Sequence, residues 1–475
     1  MGKSAWKTNY ATRCRPRQEF WNRLRPRGSI DLHAEVTYLS SQKKVAVAIT
    51  TVPLADTVSL DPVFFPLKLE KLRGTFRFAG SRLDFENIQA EHDRLPITFT
   101  GYCEGDDAGQ WHARFDRVVA DRLRPEKSTL QFALPPKVRK FIQAVAMAGS
   151  VDLTGSLDLW GREDKPGELT AGWDVELDLH DVSAKLGLDV SHLDGSLRLI
   201  GKSVGEALRM QGELAIDSVF AQDLQLTNVR GPIYMDEKQI LFGGRTQQQT
   251  SGQRLRQIEA QAYGGTLQCD GWIGLEETPR FTLATRLDDF DLNRFGREQL
   301  AGRQSLGGKI QGGMELGGTF AGSHTFAGRG RMHLTEAKLG ELPVMLAMLK
   351  VFSVREPDRT AFDTGDIGYR IEGEHVYFDS IELSGNAVSL LGTGEMSFQR
   401  ELKLVFSAVA GRSDWQMPAF KSLLGSASQQ LMEIHVGGSL ANPEIKRESF
   451  PGLKESLDQL QAERRNRRQN EASRK

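Results

Sequence analysis

Period-two alternation of apolar and polar residues runs through most of this chain, and it constrains the fold more than any other feature. "SIDLHAEVTYL" puts Ile30, Leu32, Ala34, Val36 and Tyr38 on one face of an extended strand and Asp31, His33, Glu35 and Thr37 on the other. A polar turn from Ser40 to Lys44 leads into "VAVAITTV", so the pair reads as a hairpin with one wet face. The same reading fits "FDSIELSGNAVSLLGTGEMSF", where Val388, Leu390, Gly392, Gly394, Met396 and Phe398 share a face. Two glycines interrupt that apolar face.

An irregular repeat of the form apolar-x-Gly-x-apolar-x-apolar carries such glycines along the chain. It appears as "LRGTFRF" at Leu72, "LTGSLDL" at Leu153, "LDGSLRL" at Leu193, "VRGPIYM" at Val229, "YGGTLQC" at Tyr263 and "IQGGMEL" at Ile310. "GRGRMHL" from Gly328 and "GTGEMSF" from Gly392 are degenerate copies. The steps from Gly155 to Gly195, Gly231 and Gly265 are 40, 36 and 34 residues, which suits several strands per unit. Strand glycines let a sheet bend, so the pattern predicts a mainly β fold: an elongated, strongly curved antiparallel sheet with a few short helices.

Helical periodicity is confined to a few segments. "PPKVRKFIQAVAMAG" places Val138, Phe141, Ile142 and Val145 on one side behind prolines suited to a first turn. Leu342–Val354 is apolar on nearly every side, Met417–Met432 is a third candidate, and Gly452–Arg468 reads as a polar helix or frayed tail. The expected organisation is a basic N-terminal segment at 1–27, a β segment at 28–134, an amphipathic helix at 135–149 and a repeating β segment at 150–339. A C-terminal region at 340–446 and a basic polar tail at 447–475 follow.

With 475 residues the chain exceeds what one compact core supports, so it divides into domains or extends along an axis. The net charge of −1 gives no global field toward nucleic acid or acidic substrates. Charge is uneven at the ends: residues up to Arg27 hold eight Lys/Arg against the single acid Glu19. That segment suits an anionic lipid surface or a solvated linker better than nucleic acid, because Trp6, Tyr10, Phe20 and Trp21 form no recognisable binding module. No signal peptide and no membrane-spanning run is legible. Cys14, Cys103 and Cys269 are far apart and define no disulfide framework.

Catalytic patterns are missing where they would be sought. "GRQSLGGKI" lacks the Lys directly after its second glycine that a phosphate loop needs, and reads as a turn into a strand. Asp288, Asp289 and Asp291 in "LDDFDL" lack the glycine and distal glutamate of a calcium loop. No HExxH or GxSxG occurs, and isolated histidines such as His33 sit on polar strand faces. The expectation is a protein that is not an enzyme, with no metal and no cofactor.

The second half, through "GELPVMLAMLKVFSV", "AFDTGDIGYRIEGEHVYFDSIELSGNAVSLLGTGEMSF" and "LMEIHVGGSLANPEIKRESFP", resembles the C-terminal region of AsmA-like proteins, a branch of the superfamily with TamB and YhdP. "LPPKVRKFIQAVAMAGSVDLTGSLDLWG" and "FFPLKLEKLRGTFRF" look like the repeating middle region of the same proteins. Family members usually begin with a membrane-spanning helix, so this chain looks like a C-terminal portion, a split gene product or a truncated homologue. The resemblance implies a taco-shaped β-groove in the envelope of a double-membraned bacterium, periplasmic or inner-membrane associated. It also implies phospholipid as partner, through lipid transport and outer-membrane biogenesis.

The residues expected to line such a groove are Leu72, Phe76, Phe78, Leu193, Leu197, Leu199, Ile233, Met235, Met314, Leu316, Val388, Leu390, Met396 and Phe398. Leu342, Val344, Leu346, Leu349 and Phe352 are expected to form a helix that caps it or touches a membrane. The competing expectation is a structural or adhesive protein of tandem β-sandwiches or a β-solenoid, whose apolar faces pack on each other.

Overall fold

The computed structural model describes residues 25–448, apart from 40–43, 55, 62–66, 107, 128–129, 132–133, 163, 206, 249–255, 300–306, 339–363, 385–387, 411–432 and 441. Among them, 23 strands join one antiparallel sheet, and two α-helices accompany it. The expectation of a mainly β, antiparallel fold with few helices holds. The candidate helices 342–354, 417–432 and 452–468 lie outside the described residues.

The chain divides into two compact units, the first holding residues 1–260 and the second 322–475, with the segment between shared in pieces. In the first unit, strands β1 (Ile30–Leu39), β2 (Lys44–Pro53), β3 (Glu70–Ala79), β4 (Arg82–His92), β5 (Leu95–Gly105) and β6 (Gln110–Leu123) pair in succession. The ladder continues through β7 (Ala148–Arg162), β8 (Lys165–Lys185), β9 (Asp189–Val204), β10 (Ala207–Ala221) and β11 (Leu224–Asp236). Each strand pairs with the one before it, mostly through short turns, with longer connections between β2 and β3 and between β6 and β7. β8 reaches 21 residues, far above the usual five or six.

The strands are not straight ribbons. Register slips occur in every pair from β3–β4 to β9–β10, for example between Phe115 and Val118 and between Ala120 and Leu123 where β6 meets β7. Each slip is a bulge that adds local twist and bend. Bulged residues such as Asn87, Arg122 and Asp181 have φ near +50°. Carboxylates on the adjoining strand hold two of them: Asp152 Oδ1 accepts the Arg122 N–H at 2.6 Å, and Asp194 Oδ1 accepts the Asp181 N–H at 2.9 Å.

Helix α1 (Pro136–Ala144) enters on Pro135 and Pro136 and ends at Val145, shorter than its periodicity suggested because Ala148 already belongs to β7. Ile142 and Val145 are its buried contacts, at 9% and 0% exposure. The Lys185 N–H donates to the Val145 carbonyl at 2.7 Å, fixing α1 at the end of β8. A core gathers Leu72, Phe85, Ile88, Ile97, Phe99, Val118 and Leu123 from one face of β3–β6, with Val58 from the preceding loop. The rings of Phe85, Phe99 and Phe115 meet there with centroids 5.3–5.6 Å apart.

The second unit holds β16 (Gly307–Thr319), β17 (Ala327–Lys338), β18 (Thr364–Glu372), β19 (His375–Ser384), β20 (Val388–Ser397), β21 (Leu402–Ala410), β22 (Glu433–Gly438) and β23 (Pro443–Glu448). They too pair in succession. Between the two runs lie β12 (Gln239–Phe242), β13 (Ile258–Ala262), β14 (Gly265–Gly274) and β15 (Arg280–Asp291), then helix α2 (Leu292–Gln299). Helical periodicity did not reveal α2. Asp291 at its start accepts the Asn293 N–H at 2.7 Å, and Leu292 anchors it in the second core. That core comprises Leu334, Ile381, Leu383, Leu390, Leu404, Phe406, Ile434 and Val436 among others.

The glycines inside apolar faces have two uses. At Gly392 a side chain would collide with the Phe406 ring, 2.5 Å from an ideal Cβ, and the two residues are register partners. Trp111 covers Gly161, Trp173 covers Gly201 and Tyr369 covers Gly330, again as register partners. Each aromatic ring occupies the space over a neighbour with no side chain, filling the hole that the sequence displays. Gly394 has φ +147°, and a Cβ there would stand 2.2 Å from the Lys403 carbonyl oxygen, so only glycine is accommodated.

Candidate functional site

The bulges keep one face of β6–β11 continuously apolar. Reading across the register, one rung contains Phe115, Leu157, Trp173, Gly201, Met210 and Met235. The next contains Val118, Gly155, Val175, Leu199, Gly212 and Ile233, and the third Ala120, Leu153, Leu177, Leu197, Leu214 and Gly231. A fourth runs Leu123, Val151, Leu179, Gly195, Ile216 and Val229. Strand β6 stays in phase only through its two extra residues.

The rungs are unevenly enclosed. Toward β6 they enter the aromatic core, and at the end of β8 Val182 is 2% exposed beside Gly149. Along β8–β11, Trp173, Leu177, Leu179, Leu197, Leu199, Met210, Leu214 and Ile233 are only half-buried. Leu177, Leu197 and Leu214 belong to neither core. Large side chains in a line, each partly exposed, form an apolar strip of the kind that can mark a contact site.

The opposite face carries ion pairs, beside the exposed apolar side chains of Trp160, Ile200 and Val204. Arg198 donates two hydrogen bonds to Asp174 at 3.2 and 3.0 Å, His180 lies 3.0 Å from Asp152, and Arg256 reaches Glu213 at 2.6 Å. These exposed pairs contribute little stability but keep that face in water. Asp152 itself is held below the usual carboxylate range, chiefly by the Arg122 N–H.

The expected lining residues fall into separate settings. Leu193, Leu197, Leu199 and Ile233 lie half-buried on the strip, and Met235, at 3% exposure, closes one rung. Leu72 is fully enclosed, with Phe76 packed against the same core, and Phe78 is half-buried on β3. In the second unit Met314 and Leu316 are half-buried, opposite Gly330 and Gly328. Leu390 is 1% exposed within the core, and Met396 packs on it. Phe398 leaves β20 in a turn, its ring 6.4 Å from that of Phe326. Val388 pairs with Ala410, though its side chain lies outside the described residues, as do Leu342, Val344, Leu346, Leu349 and Phe352.

Sequence reasoning missed Trp173, Leu177 and Leu214, the centre of the strip. The signal for Trp173 and Leu177 was the strict alternation in "WDVELDLH", with Asp174, Glu176 and Asp178 on the wet face, and that for Leu214 the alternation in "MQGELAI".

Polar chemistry is sparse. Among the described residues no group of His, Cys, Asp and Glu could hold a metal ion. Asp288 faces Arg286 and Asp289 faces Lys309, so the acidic run is used in ion pairs. Burial pushes the Cys103 thiol up to about 12 and the Cys269 thiol up to about 11, which suppresses the thiolate that chemistry at sulfur needs. Among the described residues no helix is long and apolar enough to cross a membrane. No protein-family model, curated protein or solved structure matches the chain.

Proposed function

We propose that this chain is a non-enzymatic lipid-binding protein whose acyl ligands lie along the apolar strip of β8–β11. The carrying observation is the set of register-aligned rungs whose members Leu177, Leu197, Leu199 and Leu214 remain half-buried. An alkyl chain needs such a strip and little else: each buried CH2 is worth about 0.8 kcal/mol without directional contacts.

Phospholipid is the proposed ligand class, and transfer between the membranes of a bacterial envelope is the proposed setting. Both extend the family resemblance of the sequence. The enclosed core around Leu390, Phe406 and Ile434 favours a second, structural reading for the second unit, in which its apolar face packs only on itself.

The test is lipid extraction and native mass spectrometry of the purified chain, beside Leu197→Asp and Leu390→Asp. Leu197→Asp places a carboxylate on the half-open strip and is expected to fold but carry less lipid. Leu390→Asp buries an unpaired carboxylate and is expected to unfold its unit, at a cost of several kcal/mol. Wild-type protein free of lipid, with Leu197→Asp as damaging to folding as Leu390→Asp, would overturn the proposal.

A further inference from the structure

We infer that the chain self-associates through the free edge of β1, which pairs antiparallel with the β1 of a second copy about a twofold axis. Among the described residues β1 pairs only with β2, over ten regular register partners without a slip. Its other edge therefore offers an unbroken row of backbone donors and acceptors. Every residue from Ile30 to Tyr38 is exposed, and Leu32, Val36 and Tyr38 reach 61%, 68% and 62%. Edge strands normally carry a proline, a lysine or a bulge that blocks further pairing. The last strand, β23, has such protection: six residues that begin with Pro443 and include Lys446 and Arg447. Strand β1 has none of the three.

The sequence of β1 fits its own reverse. An antiparallel pair keeps apolar opposite apolar only when residues of like parity meet. With Ala34 on the axis, Leu32 faces Val36 of the second copy, Ile30 faces Tyr38, His33 faces Glu35 and Asp31 faces Thr37. All nine residues from Ile30 to Tyr38 then find a partner and no like charges oppose. Shifting the axis by one residue toward the N-terminus sets Asp31 against Glu35, and shifting it the other way sets Glu35 against Glu35. The charges disfavour both adjacent registers, the nine-residue overlap favours the axis on Ala34, and the occupant they fit is a second copy of this strand. The join would also extend the apolar face, because Leu32 and Ala34 sit in rungs that continue through Thr51 to Phe76 and through Ile49 to Phe78.

The experiment is sedimentation velocity of the full chain over a wide concentration range, with two charge variants and one cysteine variant. The wild-type chain is expected to dimerise reversibly. Glu35→Arg replaces both His33–Glu35 pairs by an arginine facing His33, and should raise the dimer dissociation constant about tenfold, since two cross-strand pairs are lost. Adding His33→Glu to Glu35→Arg recreates both opposite-charge pairs and should restore dimerisation. Ala34→Cys places two thiols opposite each other on the axis and should give an oxidant-dependent covalent dimer that the wild-type chain, with its own cysteines, does not give. A monomer at all concentrations overturns the inference. So does failure of the double variant to recover, which would mean that the strand's exposed residues serve a lipid surface or another segment of the chain. Circular dichroism of each variant confirms the fold, since all the substituted side chains are exposed.

Discussion

Replacing Gly392 by alanine is the sharpest test of how the sheet is packed. Removing glycine from a strand ordinarily stabilises it by about 0.5–1 kcal/mol, through the entropy of the unfolded chain. Here the new methyl would stand 2.5 Å from two carbons of the Phe406 ring. Phe406 is 2% exposed and surrounded by Leu390, Leu404 and Ile434, so the ring has no room to retreat. Overpacking of this kind costs about 1–3 kcal/mol, so Gly392→Ala should destabilise by roughly 0.5–2 kcal/mol net. Phe406→Leu alone should also destabilise, because it leaves a gap over the glycine. Combined, the two changes relieve each other, and the double variant should be more stable than the sum by about 1–2 kcal/mol. Thermal melting and hydrogen exchange of the β20 and β21 amides provide the measurements, with about 2–4 °C expected per kcal/mol in a unit of this size. A neutral or stabilising Gly392→Ala, or strict additivity in the double variant, would refute the covering of glycine by an aromatic ring.

Two further outcomes are expected of the first unit. Asp152→Asn removes the carboxylate that holds the bulged Arg122 N–H, and should speed hydrogen exchange at β6 and β7. Because the folded state depresses the Asp152 pKa, its contribution is present above the ordinary carboxylate range and is lost as pH falls through the lowered value, so wild-type protein should lose its advantage over Asp152→Asn only in acid. The thiols of Cys103 and Cys269, raised by burial to about 12 and about 11, should alkylate slowly at pH 8 in the folded chain and rapidly in denaturant. Rapid native alkylation at both positions would contradict the burial of these two thiols.

Much of the architecture was legible because one-sided strands have a period that can be read directly. Ile30 to Tyr38 alternates without error and forms β1 as expected. Strand β6 shows where such reading stops. Strict period two puts Phe115, Arg117 and Val119 on one face, whereas the bulge after Phe115 brings Val118 into the rung instead. A bulge depends on backbone pairing with the next strand, so no single segment encodes it visibly. The glycines were read as bending points. Gly394, with its left-handed φ, fits that reading, but Gly392 serves chiefly to seat Phe406, a partner 14 residues away in sequence. Helix α2 escaped notice because it is short and polar, and its anchors are only the buried Leu292 and Phe295, which packs on the same core. The candidate site was found in part for a similar reason. Leucines near repeat glycines were conspicuous, but whether a strand leucine is enclosed like Leu390 or half-open like Leu197 is decided by neighbouring strands and by what covers them.

The most direct measurement of where a ligand lies is site-specific photo-crosslinking with a benzophenone side chain in the presence of phospholipid vesicles. The probe replaces Leu177 or Leu214 on the strip, and Glu176 on the exposed ionic face as the comparison. Lipid adducts at Leu177 and Leu214, with none at Glu176, are the expected result. Adducts at all three positions, or at Glu176 alone, would contradict a strip that carries acyl chains.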